Sequence, residues 1–128
     1  MNTILMAYND TSDSDRALER TAELAKFYDA KVVVTSVVPV LVGSKLPDGP
    51  GPELALAGSK LRGLGIEAEL VEAAGEIAEA IIEVAENCGA DLIVVGTREL
   101  SHVERMLGYS VSESVQRRAH CDVLIVHA

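Results

Sequence analysis

Short β-branched runs and longer helix-spaced stretches take turns along this chain. Thr3–Tyr8, Lys31–Val38, Asp91–Val95 and Val123–Val126 are apolar runs bounded by turn residues, the mark of strands covered on both faces. Ile66–Val71 alternates apolar with acidic residues, which predicts an edge strand. Between the runs, apolar residues recur at helical spacing. Ala17, Leu18, Thr21, Leu24, Ala25 and Tyr28 predict a first helix from Ser12 to near Asp29, with Ser12 and Asp15 forming a capping-box-like start. Leu54, Ala57, Gly58, Leu61 and Leu64 predict a second, opened by Pro52 and weakened by its glycine. Ile77, Ala78, Ile81, Val84, Ala85 and Cys88 predict a third, closed by Gly89. Val111, Val115 and Ala119 lie on one face of a fourth, which starts at Ser110 with Glu113 three residues on.

Strand and helix alternate throughout, the habit of an α/β domain with right-handed crossovers. One domain over residues 1–128 accommodates the pattern. Its most economical topology is a doubly wound sheet of five parallel strands in the order 3-2-1-4-5, with helices on both faces. Ligands of such sheets bind beyond the carboxyl ends, where the strand order reverses. Here that is the crevice between strands 1 and 4. The stretch from Pro39 to Gly51 holds three prolines and three glycines, so it reads as a loop of a length that usually serves function or is disordered.

Composition sharpens the picture in three ways. With one phenylalanine, three tyrosines and no tryptophan, the core must be aliphatic. A net charge of −9 at pH 7 repels a polyanion and argues against nucleic-acid binding. Cys88 and Cys121 lack partners at metal-ligand spacing, apart from the adjacent His120, and read as structural. The chain shows no signal peptide and no apolar run of membrane-spanning length, so a cytoplasmic protein is expected.

The last forty residues, GADLIVVGTRELSHVERMLGYSVSESVQRRAHCDVLIVHA, carry a resemblance. They are similar to the C-terminal signature of the universal stress protein family, a Gly-x2-Gly-x9-Gly-Ser/Thr loop that binds ATP in part of that family. The resemblance extends over almost the whole chain. It implies an adenine-nucleotide site built from the end of strand 1 (Ala7, Tyr8, Asn9), the end of strand 2 (Val37), the end of strand 4 (Val95, Gly96), the following loop (Arg98, Glu99, Gly108, Tyr109) and the next helix start (Ser110, Val111, Ser112). ATP with Mg²⁺, or AMP, is the ligand it implies.

The match departs from the pattern at informative places. Asn9 stands where the family carries an Asp that contacts adenosine. It keeps hydrogen-bonding capacity but not charge. Gly96 matches the first glycine, Glu99 replaces the second and Tyr109 the third, with Gly108 one residue early. A carboxylate near the phosphates repels them, and a Cβ blocks the close approach that glycine permits. Arg98 can offset Glu99, or pair with Glu99 or Glu104. Ser101 with Glu104 also reads as a capping box, so Ser101–Leu107 can be a short helix with Gly108 as its cap. The alternative to nucleotide binding is therefore a dimeric interaction protein with a lapsed pocket.

An enzyme is not expected. His102 is the only histidine near the presumed phosphate path, and no nucleophile–base arrangement accompanies it; weak ATPase activity is the remaining catalytic option. The final strand, Val123, Leu124, Ile125 and Val126, is apolar on both faces yet stands at an edge. Such an edge invites pairing, and the family resemblance implies a homodimer through it.

Overall fold

In a computed structural model, residues 1–9, 12–38, 51–96 and 111–127 are described, with residues 12, 13 and 38 through their backbone only. Strands β1 (Thr3–Ala7), β2 (Lys31–Val38), β3 (Ala68–Ala74), β4 (Leu92–Gly96) and β5 (Asp122–Val126) form one sheet in the order β3-β2-β1-β4-β5. Every pairing is parallel, as the alternating pattern requires. Helices α1 (Ser12–Tyr28), α2 (Pro52–Gly63), α3 (Ile77–Cys88) and α4 (Val111–Arg118) provide the crossovers among the described residues.

The central strands explain themselves by burial on both faces. Ile4, Leu5, Met6, Val33, Val34, Ile93 and Val94 are all 0% exposed. Successive side chains point to opposite faces, so the sheet divides the core in two. Ile4, Met6, Tyr8, Val32, Val34 and Val94 pack with Ala17, Leu18, Leu54 and Leu61, under α1 and α2. Leu5, Val33, Ile93 and Val95 pack with Ile81, Val84 and Val115, under α3 and α4.

Several element ends differ from the sequence expectation, each for a local reason. β3 runs from Ala68 to Ala74 rather than Ile66 to Val71. Ile66 donates its N–H to Leu61 O at 2.9 Å and so closes the turn after α2. Ala73 and Ala74, beyond the expected end of the strand, pair with Val37 and Val38 of the long β2. β4 begins at Leu92, and the Asp91 before it is engaged outside the strand. Its Oδ2 accepts the backbone N–H groups of Asn2 at 2.8 Å and Thr3 at 2.9 Å. That clasp fastens the start of β1 to the start of β4. α3 matches its expected span. Gly89 ends it at φ 66°, and Glu76 caps its start by accepting from Glu79 N–H at 2.7 Å. The expected loop, apart from Gly51, and the short helix at residues 101–107 with its Gly108 cap lie outside the described residues.

Candidate functional site

The carboxyl ends of β2, β1 and β4 lie side by side. Ala7 pairs with Thr35, and Met6 with Val94, while Tyr8 donates its backbone N–H to Thr35 O at 2.9 Å. The segment 7–9, Val37 and the Val95–Gly96 end of β4 therefore share one rim of the sheet. Ala7, Val37 and Val111 are half-buried and pack on the same core cluster as Val95, beneath α3 and α4. Ser112, in the first turn of α4, is 4% exposed. These expected site residues come together. Arg98, Glu99, Gly108, Tyr109 and Ser110, with His102, lie outside the described residues.

Tyr8 faces the other way. Alternation along β1 places its ring under α1 and α2 with 2% exposure. A buried phenol needs partners for its hydroxyl, and here it finds them. It donates to Asp15 Oδ1 at 2.9 Å and accepts from Lys60 Nζ at 3.2 Å. Lys60 also bonds Asp15 Oδ1 at 2.6 Å, and its ammonium stands 5.7 Å from the Tyr8 ring centre. Partial burial pushes the Asp15 carboxyl upward, but hydrogen bonds from Lys60 and Tyr8 and the Lys60 charge hold it below its ordinary value. Asp15, expected to close a capping box with Ser12, thus has one oxygen committed to Tyr8 and Lys60.

The neighbouring pair works in parallel. Asn9 donates its backbone N–H to Ser14 Oγ at 3.2 Å, and Ser14 Oγ donates to Asn9 Oδ1. Residues 8 and 9 of the strand end are thus held by residues 14 and 15 of α1. On the β2 side, Ser36, 5% exposed, donates to Glu53 Oε2 at 3.2 Å, and Gly51 N–H donates to Glu72 Oε2 at 2.8 Å. Ser14, Ser36, Glu53 and Lys60 are not legible as site-frame residues from the sequence. Ser36 and Glu53 lie 17 residues apart and Lys60 lies 52 from Tyr8, which leaves no local signal; Ser14 is only five residues from Asn9, but serine in a helix start reads first as a cap.

Among the described residues, no group of three or more His, Cys, Asp or Glu could hold a metal ion. Burial pushes the thiols of Cys88 and Cys121 up, which lowers their nucleophilic fraction. A cavity of about 180 Å³ between Ile82, Ala85, Ile93, Ala119 and Cys121 lies at the amino ends of β4 and β5, the opposite pole of the sheet. No described helix is long and apolar enough to cross a membrane.

Comparison with known proteins agrees with the fold. Residues 1–127 match the universal stress protein family. The chain belongs to that family. A universal stress protein of Methanocaldococcus jannaschii is 37% identical over 134 residues, covering 91% of this chain and 78% of the relative. The universal stress protein YxiE of Bacillus subtilis is 32% identical over 145 residues, covering 98% of each. Among solved structures, a universal stress protein in complex with cAMP superposes with a TM-score of 0.79 at 27% identity, covering 98% of this chain and 97% of that one. The universal stress proteins thus share this sheet order and crossover pattern with the chain, and one of them holds an adenine nucleotide.

Proposed function

We propose that this universal stress protein is a cytoplasmic regulatory module, not an enzyme, that binds an adenine nucleotide in the crevice between β1 and β4. The observation that carries the reading is the shared rim of Ala7–Asn9, Val37, Val95–Gly96 and the first turn of α4, in a chain that superposes on a cAMP-bound family structure. Backbone N–H groups at the start of α4 offer an anion a helix N-terminus, and Val37 offers a base an apolar wall. By their places in the family's loop pattern, Glu99 and Tyr109 disfavour a triphosphate, which favours AMP or cAMP over ATP with Mg²⁺.

A second reading rests on one observation. Asn9, in the place of the family's Asp, has its side-chain oxygen engaged by Ser14. That favours an interaction protein with a lapsed pocket. Titration calorimetry of the purified chain with cAMP, AMP, ADP and ATP, with and without Mg²⁺, separates the two. Saturable heat with the monophosphates supports the first; silence at millimolar nucleotide, for every compound, leaves the second.

The same reading includes a homodimer through β5. The strand is a sheet edge, with Val123, Leu124 and Ile125 half-buried and Val126 8% exposed in the single chain. A two-fold partner strand would cover that edge. Light scattering should give a dimer for the parent chain and a monomer, or insoluble protein, for Ile125→Lys. A soluble Ile125→Lys dimer would exclude β5 as the contact.

A further inference from the structure

Lys60 stands far from the crevice in sequence and on a different face of the sheet, yet it ends at the crevice's first wall. α2 carries two ties to the carboxyl rim. Glu53, in its first turn, receives the Ser36 hydroxyl at the end of β2. Lys60 reaches across to Asp15 of α1 and to Tyr8, the residue after β1. The three polar atoms close a triangle with sides of 2.6, 2.9 and 3.2 Å.

Its place in the fold distinguishes this triangle from an ordinary surface pair. Arg62, on the same helix, stands 3.5 Å from Glu67 in the connection to β3, with 68% and 83% of the side chains exposed; pairs of that kind contribute almost nothing. Lys60 and Asp15 are 37% and 42% exposed, and they meet at a buried tyrosine that has no freedom to turn to water. The residue after that tyrosine is Asn9. The residue before Asp15 is Ser14, which holds Asn9 through both its backbone N–H and its side-chain oxygen. A displacement of Asp15 therefore moves the group that fixes Asn9.

We propose that Lys60 is a positioning residue for the crevice: by drawing Asp15 onto Tyr8, it holds α1 against the end of β1, where Asn9 is presented. α2, which follows segment 39–50 in the chain, becomes part of the frame of the ligand site. Movement of α2 and occupation of the rim are then coupled, and coupling of this kind is reciprocal. The ligand arm of the inference rests on the adenine-nucleotide reading. The positional arm does not.

The test compares the parent chain with Lys60→Met, Lys60→Arg and the same-helix control Arg62→Met. Amide hydrogen exchange of Asn9 reads the positional arm without any ligand. Its exchange should rise about tenfold in Lys60→Met, stay near the parent in Lys60→Arg, and be unmoved in Arg62→Met. Calorimetry with cAMP and AMP reads the ligand arm: affinity should fall about tenfold in Lys60→Met and recover in Lys60→Arg. If Asn9 is as protected in Lys60→Met as in the parent, the positioning role is overturned, whatever the calorimeter shows. If Asn9 loosens as expected but the parent binds no nucleotide, the role as a frame stands and the ligand arm fails together with the nucleotide reading. If both variants of Lys60 unfold, urea-titrated exchange of the parent still decides it: Asn9 must lose protection together with the α1–α2 contact, and earlier loss refutes the coupling.

Discussion

Gly58 provides a sharp test of how α2 sits on the sheet. It is buried at the centre of the helix, where glycine ordinarily costs about 1 kcal/mol against alanine. Gly58→Ala should therefore stabilise an isolated α2. In the protein, a Cβ at this position would lie 3.0 Å from Leu70 Cδ1 and 3.1 Å from Cδ2. Comfortable carbon contacts are about 3.5–4.0 Å, so the two groups must part by roughly half an ångström. The helix is not free to retreat, since Glu53 ties it to Ser36 and Lys60 ties it to Asp15. Leu70 must yield instead, and forced repacking of this kind costs about 1–3 kcal/mol. Setting the propensity gain against that cost leaves a net loss of about 1 kcal/mol, or about 4 °C in Tm for a domain of this size.

Urea denaturation followed by circular dichroism, at one fixed protein concentration, measures the loss as a fall in midpoint at constant slope. The double variant Gly58→Ala with Leu70→Val should cost less than the sum of the single changes by about 1 kcal/mol, because the shortened side chain withdraws from the new methyl. A Gly58→Ala protein at least as stable as the parent, or a coupling indistinguishable from zero, would refute the idea that close approach of α2 to β3 requires the glycine.

Two further expectations follow from the backbone. Gly89 ends α3 at φ 66°, and the methyl that an alanine would add there meets nothing within 4 Å; Gly89→Ala should thus cost about 1–2 kcal/mol through the left-handed conformation alone, and Gly89→Asn less, by the same urea assay, whereas a neutral alanine would contradict the cap. The backbone N–H groups of Asn2 and then Thr3 hold the Asp91 carboxyl below its ordinary value. A depressed carboxylate stabilises the fold above the ordinary aspartate range and loses that contribution as pH falls through the folded value. The stability gap between the parent and Asp91→Asn should accordingly be widest near neutrality and close on acidification below the ordinary range; parallel curves would mean that the clasp does not act through charge.

How much of this is legible in the sequence depends on the reach of each interaction. The β-branched run at residues 31–38 and the helix from Ile77 to the Gly89 cap coincide with their expected spans, because burial on both faces and a left-handed glycine leave local marks. β3 lies further toward its carboxyl end than expected because Ala73 and Ala74 have no strand preference of their own and are recruited by β2. Gly58 reads as a weakness in α2, and only the position of Leu70 shows what it accommodates. At the site, the rim of Ala7, Val37, Gly96 and Ser112 can be expected, since parallel topology puts strand ends together. The use of Tyr8 cannot: its ring follows the alternation of β1 to the face under α2, where Lys60 and Asp15 meet it from distant parts of the chain.

The position of β1 in the middle of the sheet has a consequence for biosynthesis. β2 can join one side of β1, and β3 the far side of β2, as soon as they leave the ribosome. The other side of β1, along Ile4, Leu5 and Met6, is reserved for β4, which is translated only after α3. At about 5–20 residues per second the growing chain carries an open strand edge of unpaired backbone groups for roughly 1–4 s after β3 emerges. A nascent three-stranded half-sheet is therefore the form in which this protein most needs shelter from its neighbours.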